Sequence, residues 1–117
     1  MKKILTAHPE AIMDSICDVQ NLLEAQNCRC KILLMSSLCY AALLKEDHEK
    51  NKESHVKRTK PEDLLHYGYI GMIWGSFIYI NQECQSYTIE AYGGDCVELS
   101  IDHYDIWDKI KNLINDL

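Results

Sequence analysis

The sequence predicts an α+β fold: a small, mostly antiparallel sheet packed against two to three helices, in a single domain spanning residues 1–117. Three observations lead there. Apolar residues recur at helical spacing near both ends of the chain, strand-like runs fill residues 69–101, and glycines sit between those runs. A chain of 117 residues that is 47% hydrophobic has enough apolar side chains for one core, and it is too short to need a second domain.

The first helix is predicted over residues 9–27, PEAIMDSICDVQNLLEAQN. Ile12, Ile16, Val19 and Leu23 form its stripe, and Met13, Cys17 and Leu22 widen it. Pro9 suits a first helical turn, and Glu10 and Asp14 favour the positive end of the helix. Cys30 to Met35 is an apolar run of buried-strand length. Ser36 or Ser37 then caps a second helix, near 37–48, with Leu38, Ala41, Ala42 and Leu44 close to one face. At Glu46 the apolar period stops, so 46–60 is expected to be a charged surface loop or a frayed helix end, and PEDLLHY adds one helical turn. Strands follow at about 69–73, 76–81, 86–92 and 96–101, with Gly93-Gly94-Asp95 as a hairpin turn between the last two. A helix over 104–117, entered at Asp102 or Asp105, closes the chain. The expected core is Ile12, Ile16, Val19, Leu23, Ile32, Leu34, Leu38, Ile73, Phe77, Ile78, Ile89, Val97, Leu99, Ile106, Ile110 and Leu113.

The charge is uneven. Residues 45–60 hold six of the twelve Lys/Arg and four of the eighteen Asp/Glu, a local +2 against −8 for the rest. An acidic body disfavours nucleic acid, whose phosphates call for clustered Lys and Arg, and suits a basic protein partner. No apolar run reaches the roughly 20 residues of a membrane-spanning helix. The start, MKKILTAHPEAIMD, opens with lysines like a signal peptide, but His8, Pro9 and Glu10 interrupt its apolar part. A cytoplasmic chain is therefore expected, with its six cysteines reduced.

Motifs for chemistry fail on spacing. Cys28-Arg29-Cys30 has no second Cys or His pair to complete a structural zinc site. Gly75-Ser76 lacks the second glycine of a nucleophile elbow. Gly68, Gly71 and Gly75 fit neither a dinucleotide fingerprint nor a P-loop, because they carry no lysine and lead into another strand. They instead predict a glycine-turned hairpin through Gly71, Trp74 and Gly75. No metal or cofactor is expected, and no catalytic residue stands out. A cysteine or carboxylate-pair enzyme is the weakest reading. Glu90, Glu98, Asp102 and Asp105, clustered near the last strands and helix, are the candidate partner contacts.

The order of parts resembles the central to C-terminal portion of tailed-bacteriophage major capsid proteins. In that family a buried strand ending in a "vmsp"-like phrase leads to a helix with a "yaaL" phrase, and a "GtlfGipViv" hairpin follows an insertion. Leu34-Met35-Ser36-Ser37 resembles the first phrase and Tyr40-Ala41-Ala42-Leu43 the second. The stretch from Gly71 through Trp74 and Gly75 to Ile80 resembles the third, and the likeness spans residues 9–93. A shell protein of that family is more than twice as long, with an extended arm, a hairpin loop and a spine helix. The resemblance therefore implies an isolated version of the axial domain, of phage or prophage origin, working through protein contacts. It implies no catalytic residue.

The expected function is accordingly non-enzymatic protein binding, with a capsid or virion component as partner, and with self-association into a homo-oligomer left open. The alternative is a small acidic inhibitor, an immunity or anti-defence protein, that blocks a basic nuclease or effector.

Overall fold

A computed structural model of the chain describes residues 1–84 and 86–95. Its elements in order are β1 (Lys2–Thr6), α1 (Ile12–Ala25), β2 (Cys28–Met35), α2 (Ser37–Lys50), β3 (Val56–Arg58), α3 (Pro61–Tyr67), β4 (Gly71–Ile73), β5 (Ser76–Ile80) and β6 (Thr88–Asp95). The strands form one six-stranded mixed sheet in the order β1-β6-β2-β5-β4-β3. Only β2 and β5 run parallel; the other neighbours are antiparallel. The α+β class and the mostly antiparallel sheet stand, and the sheet is larger than the small one expected.

Both faces of the sheet carry apolar side chains. A register shift between Cys30 and Ile32 puts an extra residue into β2, so Cys30 shares a face with Leu33 and Met35 although Leu33 is an odd number of positions, three, further on. That face packs on α1 through Ile12, Ile16, Val19 and Leu23, and on α2 through Cys39, Tyr40 and Leu43. The opposite face holds buried Ile32, Leu34 and Tyr79, with Tyr69, Phe77 and Tyr92 packed against them. The Tyr69 and Phe77 rings meet at 4.6 Å between centroids.

The helices are started in different ways. At α2, the Ser36 side chain accepts from the Cys39 amide at 3.0 Å, an ordinary N-cap. At α1 the cap residue is Ala11, which has no acceptor to offer. Glu46 of α2 supplies one instead: its Oε2 accepts from the Met13 amide at 3.1 Å. A carboxylate at that end is also favoured by the helix dipole.

Several expectations need correction. Gly93 and Gly94 do not turn the chain; they lie within β6, opposite Cys30 and Arg29 of β2. The Gly93 amide donates to the Met1 carbonyl at 2.8 Å, which continues the pairing on the other side. A glycine is used at 93 because Leu23 and the Arg29 carbonyl approach within 3.1–3.3 Å of where a Cβ would lie. Leu38 is 49% exposed rather than core, and Phe77 is only partly buried. Within residues 46–60, expected as a charged loop or a frayed helix end, α2 runs to Lys50 and Val56–Arg58 forms a strand. Strand β1 has no counterpart among the expected elements. The strand at 96–101, the helix at 104–117, and the core positions Val97, Leu99, Ile106, Ile110 and Leu113 lie outside the described residues.

Gly71 opens β4 directly beneath α2. A Cβ there would meet the Tyr40 hydroxyl at 2.9 Å and the Lys57 carbonyl at 3.0 Å. The carbonyl is laddered between β3 and β4 and cannot retreat. Gly71→Ala should therefore destabilise the fold by about 1–3 kcal/mol, read as a lower urea midpoint at unchanged slope.

Candidate functional site

The turn between β4 and β5 is the most unusual surface in the described chain. Ile73 pairs with Ser76, so the loop is the two residues Trp74 and Gly75. Both have positive φ, +47° and +85°, the signature of a type I′ turn. Such turns favour Asn-Gly or Gly-Gly, because a left-handed conformation costs an ordinary side chain about 1–2 kcal/mol. Here the position holds a tryptophan, and 45% of it is exposed.

The turn is braced from three elements. Gln20 of α1 donates through Nε2 to the Ser76 hydroxyl at 2.8 Å and reaches the Ile73 carbonyl at 3.4 Å. The buried Ser76 hydroxyl in turn donates to the Cys30 carbonyl of β2 at 2.7 Å. The Arg29 guanidinium lies 3.1 Å from the position a Gly75 Cβ would take. On the other side the His55 ring sits 5.6 Å from the Trp74 ring, tilted by 47°. An open recess of about 290 Å³ lies beside the turn, lined by Ser54, His55, Lys57, Met72, Trp74 and Gly75.

What holds His55 there is a buried carboxylate. Asp47, 2% exposed on the inner face of α2, accepts from the His55 amide at 3.0 Å and the Val56 amide at 3.1 Å. It also accepts from the Ser54 hydroxyl at 2.5 Å and the Asn51 amide group at 3.0 Å. Burial alone would raise the Asp47 pKa. The four hydrogen bonds outweigh burial and hold the group below its ordinary value. Asp47 thereby orders residues 51–56 and delivers β3 to β4 in register, Val56 on Ile73 and Lys57 on Met72.

A second, larger groove of about 660 Å³ runs along α2, lined in part by Pro9, Leu38, Ala41, Ala42, Lys45 and Tyr87. The exposed Leu38 belongs to it.

Of the acidic residues singled out in the sequence, Glu90 lies on β6, with the Tyr92 hydroxyl donating to it at 2.9 Å and Lys2 at 3.8 Å. Glu98, Asp102 and Asp105 lie outside the described residues. His55, which lines the recess, and Asp47, which holds its backbone, belong to no sequence motif. Their signal was their position: Leu43, Glu46 and Asp47 continue the inward helical spacing in polar residues.

Among the described residues, no group of three or more His, Cys, Asp or Glu side chains is arranged to hold a metal ion. Cys17, Cys28, Cys30, Cys39 and Cys84 are free thiols. Burial, with Cys84 adding to it, pushes the Cys39 thiol up to about 11, and burial also raises Cys30. Both are shielded from becoming the thiolate that nucleophilic chemistry uses. No helix among the described residues is long and apolar enough to cross a membrane. No family model, curated protein or solved structure matches the chain.

Two outcomes follow from this geometry. A carboxyl whose folded pKa is depressed adds stability that is present above its unfolded pKa, about 3.9, and is lost as pH falls through the folded value. Asp47→Asn should lower stability near neutral pH by about 2–3 kcal/mol, and the gap to the parent should narrow as pH drops below about 4. Urea titrations across that range measure it. Trp74→Asn should do the opposite to stability, raising it by about 0.5 kcal/mol or more, because relief of the left-handed strain exceeds the lost ring contact. Thermal unfolding of the variant measures that difference.

Proposed function

We propose that the chain is a non-enzymatic, phage- or prophage-related protein that works through protein–protein contacts, as an isolated relative of the capsid axial domain. It would act in the host cytoplasm or on the virion. The observation that carries the reading is the turn at Trp74-Gly75. A large aromatic side chain is held out to solvent on a rigid hairpin, in a conformation that local energetics disfavour. Exposed, pre-ordered tryptophans of this kind are the residues that dominate protein interfaces.

The resemblance gains support from the way its phrases meet. Leu34 to Ser37 is the end of β2 running into the cap of α2, and Tyr40 to Leu43 lies on that helix. The Tyr40 ring reaches over Gly71, and its hydroxyl points at the Ile70 carbonyl, 3.5 Å away. The second and third phrases are thus one packed unit, ending in the exposed turn.

The inhibitor reading keeps one supporting feature, the −8 carried outside residues 45–60. Gene context separates the two. Portal and terminase genes beside this one favour the virion reading, and a toxin gene favours the inhibitor. In the first case, particles purified on a density gradient should contain the chain, and Trp74→Ala should remove it from them. A chain that never sediments with particles argues against virion association. An inhibitor would instead bind a basic nuclease with an affinity that falls at least tenfold on raising salt.

A further inference from the structure

We infer that the recess at the β4–β5 turn is built for a carboxylate-bearing protein segment, which seats against Trp74 while Arg29 and Lys57 neutralise its acidic side chains. This rests on the reading of the turn as a protein contact, and adds the chemistry of what it contacts.

The local charge at the turn runs against that of the acidic chain. The net charge is −6, yet the recess at Trp74 is lined by Ser54, His55, Lys57, Met72 and Gly75 with no carboxylate, and the Arg29 guanidinium lies beside Gly75. The buried acid Asp47 does not line the recess and is occupied by four donors of its own chain. Among the described residues the ion pairs are Lys2 with Glu90 and Lys50 with Glu46, so neither Arg29 nor Lys57 is matched by an acid there. Both are exposed. Arg29 stands beside Gly75, and Lys57, on β3, lines the recess. An apolar anchor near two cations that have no acid partner among the described residues is complementary to a segment that carries acids beside an apolar residue.

A nucleic acid strand also stacks on aromatics between cations. Beyond the basic stretch 45–60 it would meet the remainder of the chain, of net −8, where each further phosphate is repelled. The small extent of the patch therefore favours a short acidic peptide.

The test uses the full chain in a Trp107→Phe background, which leaves Trp74 as the sole tryptophan reporter. The probes are a decapeptide of glutamate with one central leucine, the same peptide with lysine in place of glutamate, and decathymidylate. The acidic peptide should shift the Trp74 emission and bind at least tenfold tighter at low salt than at high salt. Arg29→Glu with Lys57→Glu should abolish that shift and confer binding of the lysine peptide. Tighter binding of decathymidylate, binding of the lysine peptide by the parent, or no response to any probe would each overturn the inference. The underlying contact reading is separable. If Trp74→Ala removes the chain from its particles while the double charge reversal does not, the contact stands and the acidic partner falls. If neither variant has an effect, both fall.

Discussion

The arrangement of this molecule on its β3–β4–β5 side depends on one buried carboxylate. Asp47 points from α2 into the protein and receives two backbone amides, one hydroxyl and one side-chain amide. A buried charge without partners would be strongly destabilising, so the group imposes a condition on the chain around it. Residues 51–56 must fold back so that their amides face α2. Once they do, Val56 is buried against the core and β3 can only meet β4 in the register observed. The edge of the sheet is thus placed by a helix, through hydrogen bonds rather than through apolar contact.

The same helix also organises α1. Glu46, one residue before Asp47, caps α1 at Met13, and Lys50 reaches both Glu46, at 3.4 Å, and the Glu10 carbonyl, at 3.0 Å. The last turns of α2 therefore hold the start of α1 with one carboxylate and the approach to β3 with the next. From α1, Gln20 reaches the β4–β5 turn, which closes a circuit: α2 to α1, α1 to the turn, the turn to His55, and His55 back to α2. A site inside such a circuit is rigid without being deeply buried. Pre-organisation of that kind reduces the ordering cost of binding.

How much of this was legible depended on whether a pattern was local. The stripe of α1 could be read because Ile12, Ile16, Val19 and Leu23 bury at helical spacing, and Ser36 announced α2 by its chemistry. Strand β1 could not be read. It is five residues long, two of them lysine, and its partner Thr88–Asp95 lies almost at the other end of the described chain. Lysines on an edge strand are a common guard against unwanted pairing, but they erase the apolar signal. The Gly93-Gly94 pair misled for a related reason: composition marks a glycine as permissive, while only the packing of Leu23 and Arg29 reveals that it is there for close approach. Glu46 and Asp47 misled most. Hydrophobic periodicity assumes that inward positions are apolar, and here two inward positions are acids whose partners lie as far away in sequence as Met13.

The turn at Trp74 belongs to a different class, because its oddity is visible in both sequence and structure and neither explains it as folding. A type I′ turn asks for a residue that tolerates positive φ, and Gly75 meets that condition while Trp74 does not. Packing does not compensate, since nearly half of the side chain faces solvent and its described ring contact is the tilted approach to His55. Elsewhere in this chain, departures from local preference are repaid by burial or by hydrogen bonds, as at Gly71 under Tyr40 and at Asp47 under the amides of 55 and 56. At Trp74 the return among the described residues is small: the tilted contact with His55 and a long hydrogen bond, 3.5 Å, from Gln20 to its carbonyl. Strain that the fold does not recover is what a surface selected for contact would show, and a contact made there would meet Arg29 and Lys57 at the same time.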